Sequence, residues 1–523
     1  MKRHLLFSFL PFLAASLLTA DQPNVLVIMT DDQGLGQMSF TDRHRDPALV
    51  WRPETTQRYE VDPARAREAA EAAMPNLKQL GQEGVRFSNA FVASPVCSPS
   101  RAAFVSARYP QRYRIYSNDD AKAGVSLQER FLPEVFQENG YRTAMIGKWH
   151  LGDTTRTDLP EETRDYHRNA IVGVVPEHHP LERGFDYYFG FNRSGANYWN
   201  PTSIFRNRER IDVEGYLTDA FSREAVGFIE KRGKAPFFLF LSYSAPHIPL
   251  HVPAPAHYRG RFETGNANVD NYYAALAAVD DGIGRILSSL RVRNELSNTL
   301  VFFLSDNGAV IDSPMPMNGA ATGNKGTLLP GGLQVPFIVS YGDRFLPGTV
   351  RSQLVSAMDI LPTALDFAGL EIPSEPLLDG RSLRGVLEQP HVNSGPHRFL
   401  FWAGPQAWHW SPRNLPFWRN YFAYVTGREG AVGNVPRSAF VEAEAAMGLA
   451  ATDGHRFYQW IRDPGSGKAV WNLRYAHSLL PGAEGLPATE MLEEAREWLE
   501  PMPPPRVWKG SAPRDKSEKL NLK

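Results

Sequence analysis

The sequence predicts an α/β protein, a large mixed and mostly parallel sheet flanked by helices, followed by a smaller C-terminal α+β subdomain. Three observations predict it. Short apolar, β-rich runs recur at Asn24–Thr30 (NVLVIMT), Phe237–Ser242 (FFLFLS) and 299–304 (TLVFFL), apolar on both faces as buried parallel strands are. Helix-length amphipathic stretches lie between such runs, so strands and helices alternate. Clusters of Asp, Asn, His and Lys follow the runs directly, where open α/β sheets place their ligands.

At 523 residues the chain exceeds one typical domain, and 42% apolar with 22% charged residues describes a globular protein. The expected division is a large domain over 21–385, a smaller subdomain over 386–500 and a Pro-rich, basic tail over 501–523. A formal net charge of −1 excludes a global attraction to nucleic acid or anionic membrane, so any affinity for an anion is local. Residues 1–20 join a basic start (Lys2, Arg3, His4) to a short apolar run and the small pair Thr19-Ala20, the layout of a signal peptide cleaved near Ala20. Export to a periplasm or the extracellular space follows, with no later run apolar enough for a transmembrane anchor.

The first strand ends in Asp31-Asp32-Gln33-Gly34, which suits a ligand site and equally a helix cap or turn. Residues 39–73 read as a solvated insertion whose Ala/Glu-rich end is helical, and 74–84 as an amphipathic helix stopped by Gly84. A helix over 132–140 and a strand over 141–146 lead to Gly147-Lys148-Trp149-His150-Leu151-Gly152. The helix Leu217–Lys231 and the strand Phe237–Ser242 lead to Ala245-Pro246-His247-Ile248-Pro249. A long helix over 271–290 precedes the strand that ends in Ser305-Asp306-Asn307-Gly308. Asn324-Lys325-Gly326-Thr327 and Gly331-Gly332 form a loop before a strand over 335–341. Taken singly, each of these polar clusters also fits ordinary turn or surface chemistry. The remainder is rich in Trp, His, Arg and Phe over 399–424 and regains a helix over Ala488–Leu499.

Cys97 is the only cysteine, so an exported chain offers it no disulfide partner. Pro99 suits the first turn of a helix that Ser100-Arg101-Ala102-Ala103-Phe104-Val105 continues. Position 97 then faces a helix N-terminus, a setting that attracts anions and activates cysteines. An inert buried thiol is the plainer alternative.

The run CSPSRAAFVSAR at 97–108 resembles the signature of the formylglycine-dependent sulfatases. Asp-Asp after the first strand, GKWHLG, APHIP, SDNG and GNKGT follow in that family's order, and the resemblance spans about residues 23–383. It implies an alkaline phosphatase-like fold and a sulfuric ester hydrolase. In such enzymes the cysteine is converted to Cα-formylglycine, whose hydrate attacks sulfur and later sheds sulfate as the aldehyde re-forms. Carried over by position, Asp31, Asp32, Asp306, Asn307 and converted Cys97 bind the metal, calcium with magnesium as the alternative. Arg101 orients the nucleophile and Ser100 belongs to the same framework. Lys148 and Lys325 bind sulfate, His150 takes a proton as sulfate leaves, and His247 with Lys325 assists the departing alcohol. Asp306 also serves as a base for the hydrate.

The resemblance further implies a formylglycine-generating or radical maturation enzyme as partner and a sulfated carbohydrate as substrate. Two positions depart from the family: Pro330 stands where many relatives have an acid, and Gln334 where they have arginine. Only Arg462-Asp463-Pro464 echoes the Asp-Pro motif that often closes the family. Rival readings are a phosphonate or phosphate ester hydrolase of the same superfamily and a non-catalytic protein that binds sulfated glycans.

Overall fold

The computed structural model describes residues 22–37, 61–153, 173–247, 252–309, 318, 321, 323–389, 391–392, 394–405, 447–452, 456–462, 471–478 and 487–503. The predicted signal peptide, most of the 39–73 insertion, the tail from 504 and much of the Trp-rich 399–424 stretch lie outside them.

In chain order the strands of the main sheet are β1 (Asn24–Thr30), β2 (Val85–Phe87), β4 (Arg142–Lys148), β5 (Tyr187–Phe191), β6 (Ile204–Arg206) and β7 (Glu209–Ile211). They continue with β8 (Phe237–Ser242), β9 (Thr299–Ser305), β10 (Phe337–Ser340) and β11 (Thr349–Arg351). The short strands β3 (Ala90–Phe91) and β12 (Val355–Ser356) pair separately. The ten strands lie in the order β11-β2-β10-β9-β1-β8-β4-β5-β6-β7. β9, β1, β8, β4 and β5 are mutually parallel, and β10, β6 and β7 run against their neighbours. The mixed, mostly parallel sheet expected from the sequence is therefore observed. The run over 335–341 forms a strand, but an antiparallel one.

Helices of seven or more residues among the described residues are α1 (Pro63–Ala72), α2 (Pro75–Glu83), α3 (Cys97–Ser106), α4 (Leu132–Glu138), α5 (Leu217–Lys231), α6 (Ala267–Val292), α7 (Ile360–Phe367) and α8 (Ala488–Leu499). Asp62 caps α1 by accepting from Ala64 N and Arg65 N, and Asn266 caps α6 from Asn268 N and Val269 N. On β1, Leu26 and Ile28 enter one core with α1, α2, α5 and α6, while Val25, Val27 and Met29 enter another with α3, α4 and α7. This alternation explains the continuous apolar run: a strand covered on both faces has no solvent side to mark with polar residues. None of these helices is long and apolar enough to cross a membrane.

A second, four-stranded antiparallel sheet follows, β13 (Leu400–Pro405), β14 (Met447–Thr452), β15 (Arg456–Arg462) and β16 (Trp471–Ser478), in that order, accompanied by α8. Trp402 Nε1 donates to Val92 O at 2.7 Å, and Gln111 Nε2 to Ala403 O at 2.8 Å. β13 is thereby fastened to the segments on either side of α3. Arg462 ends β15, while Asp463 and Pro464 lie outside the described residues.

Candidate active site

The order β9-β1-β8-β4 sets four parallel strands side by side, so their carboxyl ends open on one edge. Asp31 and Asp32 follow β1, Lys148 closes β4 with His150 beyond it, His247 lies five residues past β8, and Asp306 and Asn307 follow β9. Asp32 and His150 take the left-handed conformation, with φ of 65° and 58°. That costs a non-glycine residue on the order of 1–3 kcal/mol, a strain the surrounding structure has to hold. Gly147 has φ of 112°, and a Cβ there would meet Ser242 O at 1.8 Å, so this position near the end of β4 tolerates only glycine.

The α3 helix delivers Cys97 and Arg101 to the same edge. Cys97 is its first residue, after Val96, which provides no side-chain cap. Asn118 Oδ1 instead accepts from Ser98 N at 3.1 Å, and Ser98 Oγ donates to His150 O at 2.9 Å. Cys97 Sγ lies 3.7 Å from Asp31 Oδ1.

Around it the charges pair off. Lys148 Nζ stands 2.6 Å from Asp31 Oδ2, and Lys325 Nζ 2.6 Å from Asp32 Oδ1. Arg101 Nη2 stands 2.7 Å from Asp306 Oδ2. Asn307 Nδ2 donates to Asp32 Oδ1 at 2.7 Å, Asp32 N to Asp306 Oδ1 at 3.2 Å, and His247 Nε2 lies 3.5 Å from Asp32 Oδ2. Every site residue expected from the sequence is thus brought to one place.

Burial and pairing set the protons. Burial opposes ionisation of Asp31, but Lys148, His247 and Arg101 outweigh it and hold the carboxyl below its ordinary value. Lys325 and His247 do the same for Asp32 against its burial. Burial works against the charge on Lys325 too, yet Asp32, Cys97 and Asp31 raise it well above the ordinary lysine value. Burial pushes the Cys97 thiol up to about 11, with Lys148 and Lys325 only partly offsetting it. The sequence reading of an activated thiol is corrected here: the desolvated sulfur keeps its proton. His150 falls well below the usual histidine value through burial and the cations Lys148 and Arg101. His247 is also lowered, by burial, despite Asp32 and Asp31.

One ligand atom each from Asp31, Asp32, Cys97 and His247 lies within 4.8 Å of all the others, a group that could hold a metal ion. Asp32 Oδ2 and Asn307 Oδ1 are buried and have no hydrogen-bond donor among the described residues. Unclaimed oxygens on two buried side chains are the donors a hard divalent cation takes, so the residues fit one. Asp306 is the most heavily engaged of the expected ligands, since Arg101 and Asp32 N already donate to its two oxygens.

Some residues that shape the site escaped the sequence reading. Ser242 Oγ donates to Lys148 O at 2.9 Å and accepts from Arg101, joining β8 to β4 beneath the site. The Tyr198 hydroxyl lies 2.7 Å from His247 O and 3.0 Å from Ser244 O, bracing the loop after β8. Nothing in the sequence marks either residue, because each acts through a partner 46 or more positions away. Gln334, which stands where many relatives have arginine, donates to Ser88 O at 2.7 Å and braces the β3 segment.

Acids, cations and the one cysteine thus share the carboxyl edge of the sheet. The sulfatase family model matches residues 23–370, and the chain belongs to the type I sulfatase family as a sulfuric ester hydrolase. It is 42% identical over 422 residues to the uncharacterized sulfatase YdeN of Escherichia coli (strain K12), covering 80% of this chain and 75% of that one. It is 31% identical over 407 residues to N-acetylgalactosamine-6-sulfatase of Sus scrofa, covering 72% and 67%. The crystal structure of Ps i-CgsB superposes with a TM-score of 0.67 at 25% identity, covering 93% of this chain and 94% of that one.

Proposed function

We propose that this sulfatase is exported and releases sulfate from a sulfated carbohydrate, using a formylglycine made from Cys97 by a formylglycine-generating or radical maturation enzyme. Asp31, Asp32, Asp306, Asn307 and the residue at 97 hold one divalent cation, calcium rather than magnesium because the donors are many and oxygen-rich. The observation that carries the reading is the setting of Cys97. It heads α3 with Sγ 3.7 Å from Asp31 Oδ1, and its thiol is held protonated near 11, unsuited to act as a thiolate. Conversion would supply what the thiol lacks, a hydrated aldehyde oxygen to attack sulfur, and a cation held by these residues would supply Lewis-acid stabilisation of the ester's negative charge. The carbohydrate substrate rests on the relationship to an N-acetylgalactosamine-6-sulfatase.

The chain's own residues divide the remaining work. Asp31, Asp32 and Asp306 are matched in sign by Lys148, Lys325 and Arg101, so the bare site is close to neutral. A divalent cation and a singly charged sulfate ester entering together add only one net positive charge to it. Lys148 and Lys325 then turn from their carboxylates to the sulfate oxygens, and a buried anion requires such partners. Arg101 holds the head of α3 on Asp306 and keeps residue 97 aimed at sulfur. Neutral His150 accepts a proton as sulfate leaves. His247 and Lys325 serve the departing alcohol, and Lys325 is the one that carries the proton.

Peptide mass spectrometry across Cys97, on protein exported by its own host or matured in a co-expressing one, tests the proposal. A loss of about 18 Da from that peptide is expected, with sulfate release from phenyl sulfate exceeding phosphate release from phenyl phosphate. An unconverted cysteine in active protein, or a preference for the phosphate ester, overturns it.

A further inference from the structure

We infer that Tyr198 is a positioning residue for departure of the alcohol: its hydroxyl fixes the backbone of His247, and the reaction depends on it more as the leaving alcohol becomes a stronger base. This rests on the function proposed above, which assigns His247 and Lys325 to that alcohol. The hydroxyl lies 2.7 Å from His247 O and 3.0 Å from Ser244 O. Its one proton is therefore shared between the two ends of a turn that His247 N closes by donating to Ser244 O at 2.9 Å. Upstream, Tyr243 N donates to Met29 O at 2.9 Å and Asp31 N to Ala245 O at 3.2 Å, fastening the chain after β8 to the end of β1. Those bonds end two residues short of His247. Tyr198 extends the hold to the carbonyl of the histidine itself.

The loop after β5 that bears Tyr198 is anchored independently of this contact. Asn192 Oδ1 accepts from Gly152 N at 3.0 Å and its Nδ2 donates to Gly152 O at 3.4 Å, clasping the loop of His150. Leu217 N, at the start of α5, donates to Tyr198 O at 2.8 Å, and the buried Tyr198 ring stacks on Tyr216 with centroids 5.6 Å apart. Loss of the hydroxyl alone thus leaves loop and ring in place and loosens the turn at 244–247. The imidazole has room to follow. A Cβ at Gly195 would only reach ordinary contact with its Nδ1 edge, at 3.8 Å, and glycine leaves that space open. On the other edge Nε2 lies 3.5 Å from Asp32 Oδ2. As the alcohol leaves, charge builds on its oxygen, and a donor held in place stabilises that charge most when the alcohol is strongly basic. Misplacing such a group by 1 Å can cost about 100-fold in rate.

The experiment measures kcat/KM for sulfate release from phenyl sulfate and from 4-nitrophenyl sulfate, whose leaving phenol is the weaker base. The proteins are the matured wild-type chain and its Tyr198→Phe and Tyr216→Leu variants, and kcat/KM covers the steps through alcohol release. Tyr198→Phe is expected to lose about tenfold or more on phenyl sulfate and about threefold or less on 4-nitrophenyl sulfate. Tyr216→Leu disturbs the packing of the same ring but spares the hydroxyl, so its loss should be equal on both esters. Equal loss on both esters by Tyr198→Phe, no loss on either, or the same discrimination from Tyr216→Leu overturns the inference. So does a Tyr198→Phe protein whose melting curve shows it unfolded, since the hydroxyl would then serve the fold. If the wild-type chain releases sulfate from neither ester, the proposed function fails and the role of Tyr198 with it. If the wild type releases sulfate and Tyr198→Phe does not discriminate, only the role of Tyr198 fails.

Discussion

Arg101 holds one oxygen of Asp306 from two nitrogens, Nε at 3.0 Å and Nη2 at 2.7 Å, with both side chains wholly buried. Its third nitrogen, Nη1, donates to Lys148 O at 3.1 Å and to Ser242 Oγ. One guanidinium therefore ties α3 to the ends of β9, β4 and β8. Arg101→Ala is expected to cost about 3–5 kcal/mol of stability, since it strands a buried carboxylate. Arg101→Lys keeps the charge but loses the fork, so sulfate release should drop at least tenfold even where the fold survives. Urea unfolding and initial rates on phenyl sulfate check both, and a Lys variant with wild-type rates would show that the fork is dispensable.

Cys97 should resist alkylation while it remains a cysteine. Its thiol is 1% exposed and held near 11 by burial. At pH 8 only about one molecule in a thousand carries the thiolate that reacts. Iodoacetamide is expected to leave the native, unconverted chain unlabelled and to label it fully in denaturant, as read by peptide mass. Rapid native labelling would mean that the sulfur is open to solvent.

Removing divalent cations should silence the enzyme and lower its melting temperature. Asp32 Oδ2 and Asn307 Oδ1 lack donors, so a bound cation answers a cost that the bare site carries. Saturation to about 100 times the dissociation constant adds about 2.7 kcal/mol. Melting curves in EDTA and after calcium or magnesium is restored report this without any turnover. Equal curves in all three conditions would remove the cation from the site.

Asp280 offers a pH test away from the chemistry. Burial lifts its carboxyl from 3.8 to about 6, although Asn76 and Leu77 at the start of α2 donate to it. The folded chain thus binds this proton more tightly than the unfolded chain. Its stabilising contribution is complete below pH 3.8 and is lost as pH rises through about 6. Asp280→Asn removes the titration, so the variant should gain on wild type between pH 4 and 7 by up to about 3 kcal/mol. Urea unfolding across that range measures the difference, and a constant gap would refute the assignment.

Much of the architecture was legible because its periodicities are local. The apolar run Val25–Met29, short and β-branched, reads as a strand covered on both faces, and α5 repeats buried residues at Leu217, Phe221, Ala225 and Ile229. The direction of β10, antiparallel to β9, was not legible, because apolar content does not encode which way a strand runs. The sequence marked Gln334 only as a departure from the family's arginine; its bond to Ser88 O, reached from the short turn at Pro330, joins residues 246 apart and is not legible along the chain.

By itself the sequence determined the donors. It placed acids, an amide, lysines and histidines just past strand ends and one cysteine at a helix start, and their order along the chain named the family. Only the tertiary structure decided how they meet. The strand order β9-β1-β8-β4 brings Asp31 to Lys148 across 117 residues and Arg101 to Asp306 across 205. It also decided their proton affinities, because burial raises the Cys97 thiol and lowers His150 and His247, while Asp32 and Asp31 raise Lys325 against its burial. Desolvation and Coulomb energy depend on distances in space, which spacing along a chain does not contain.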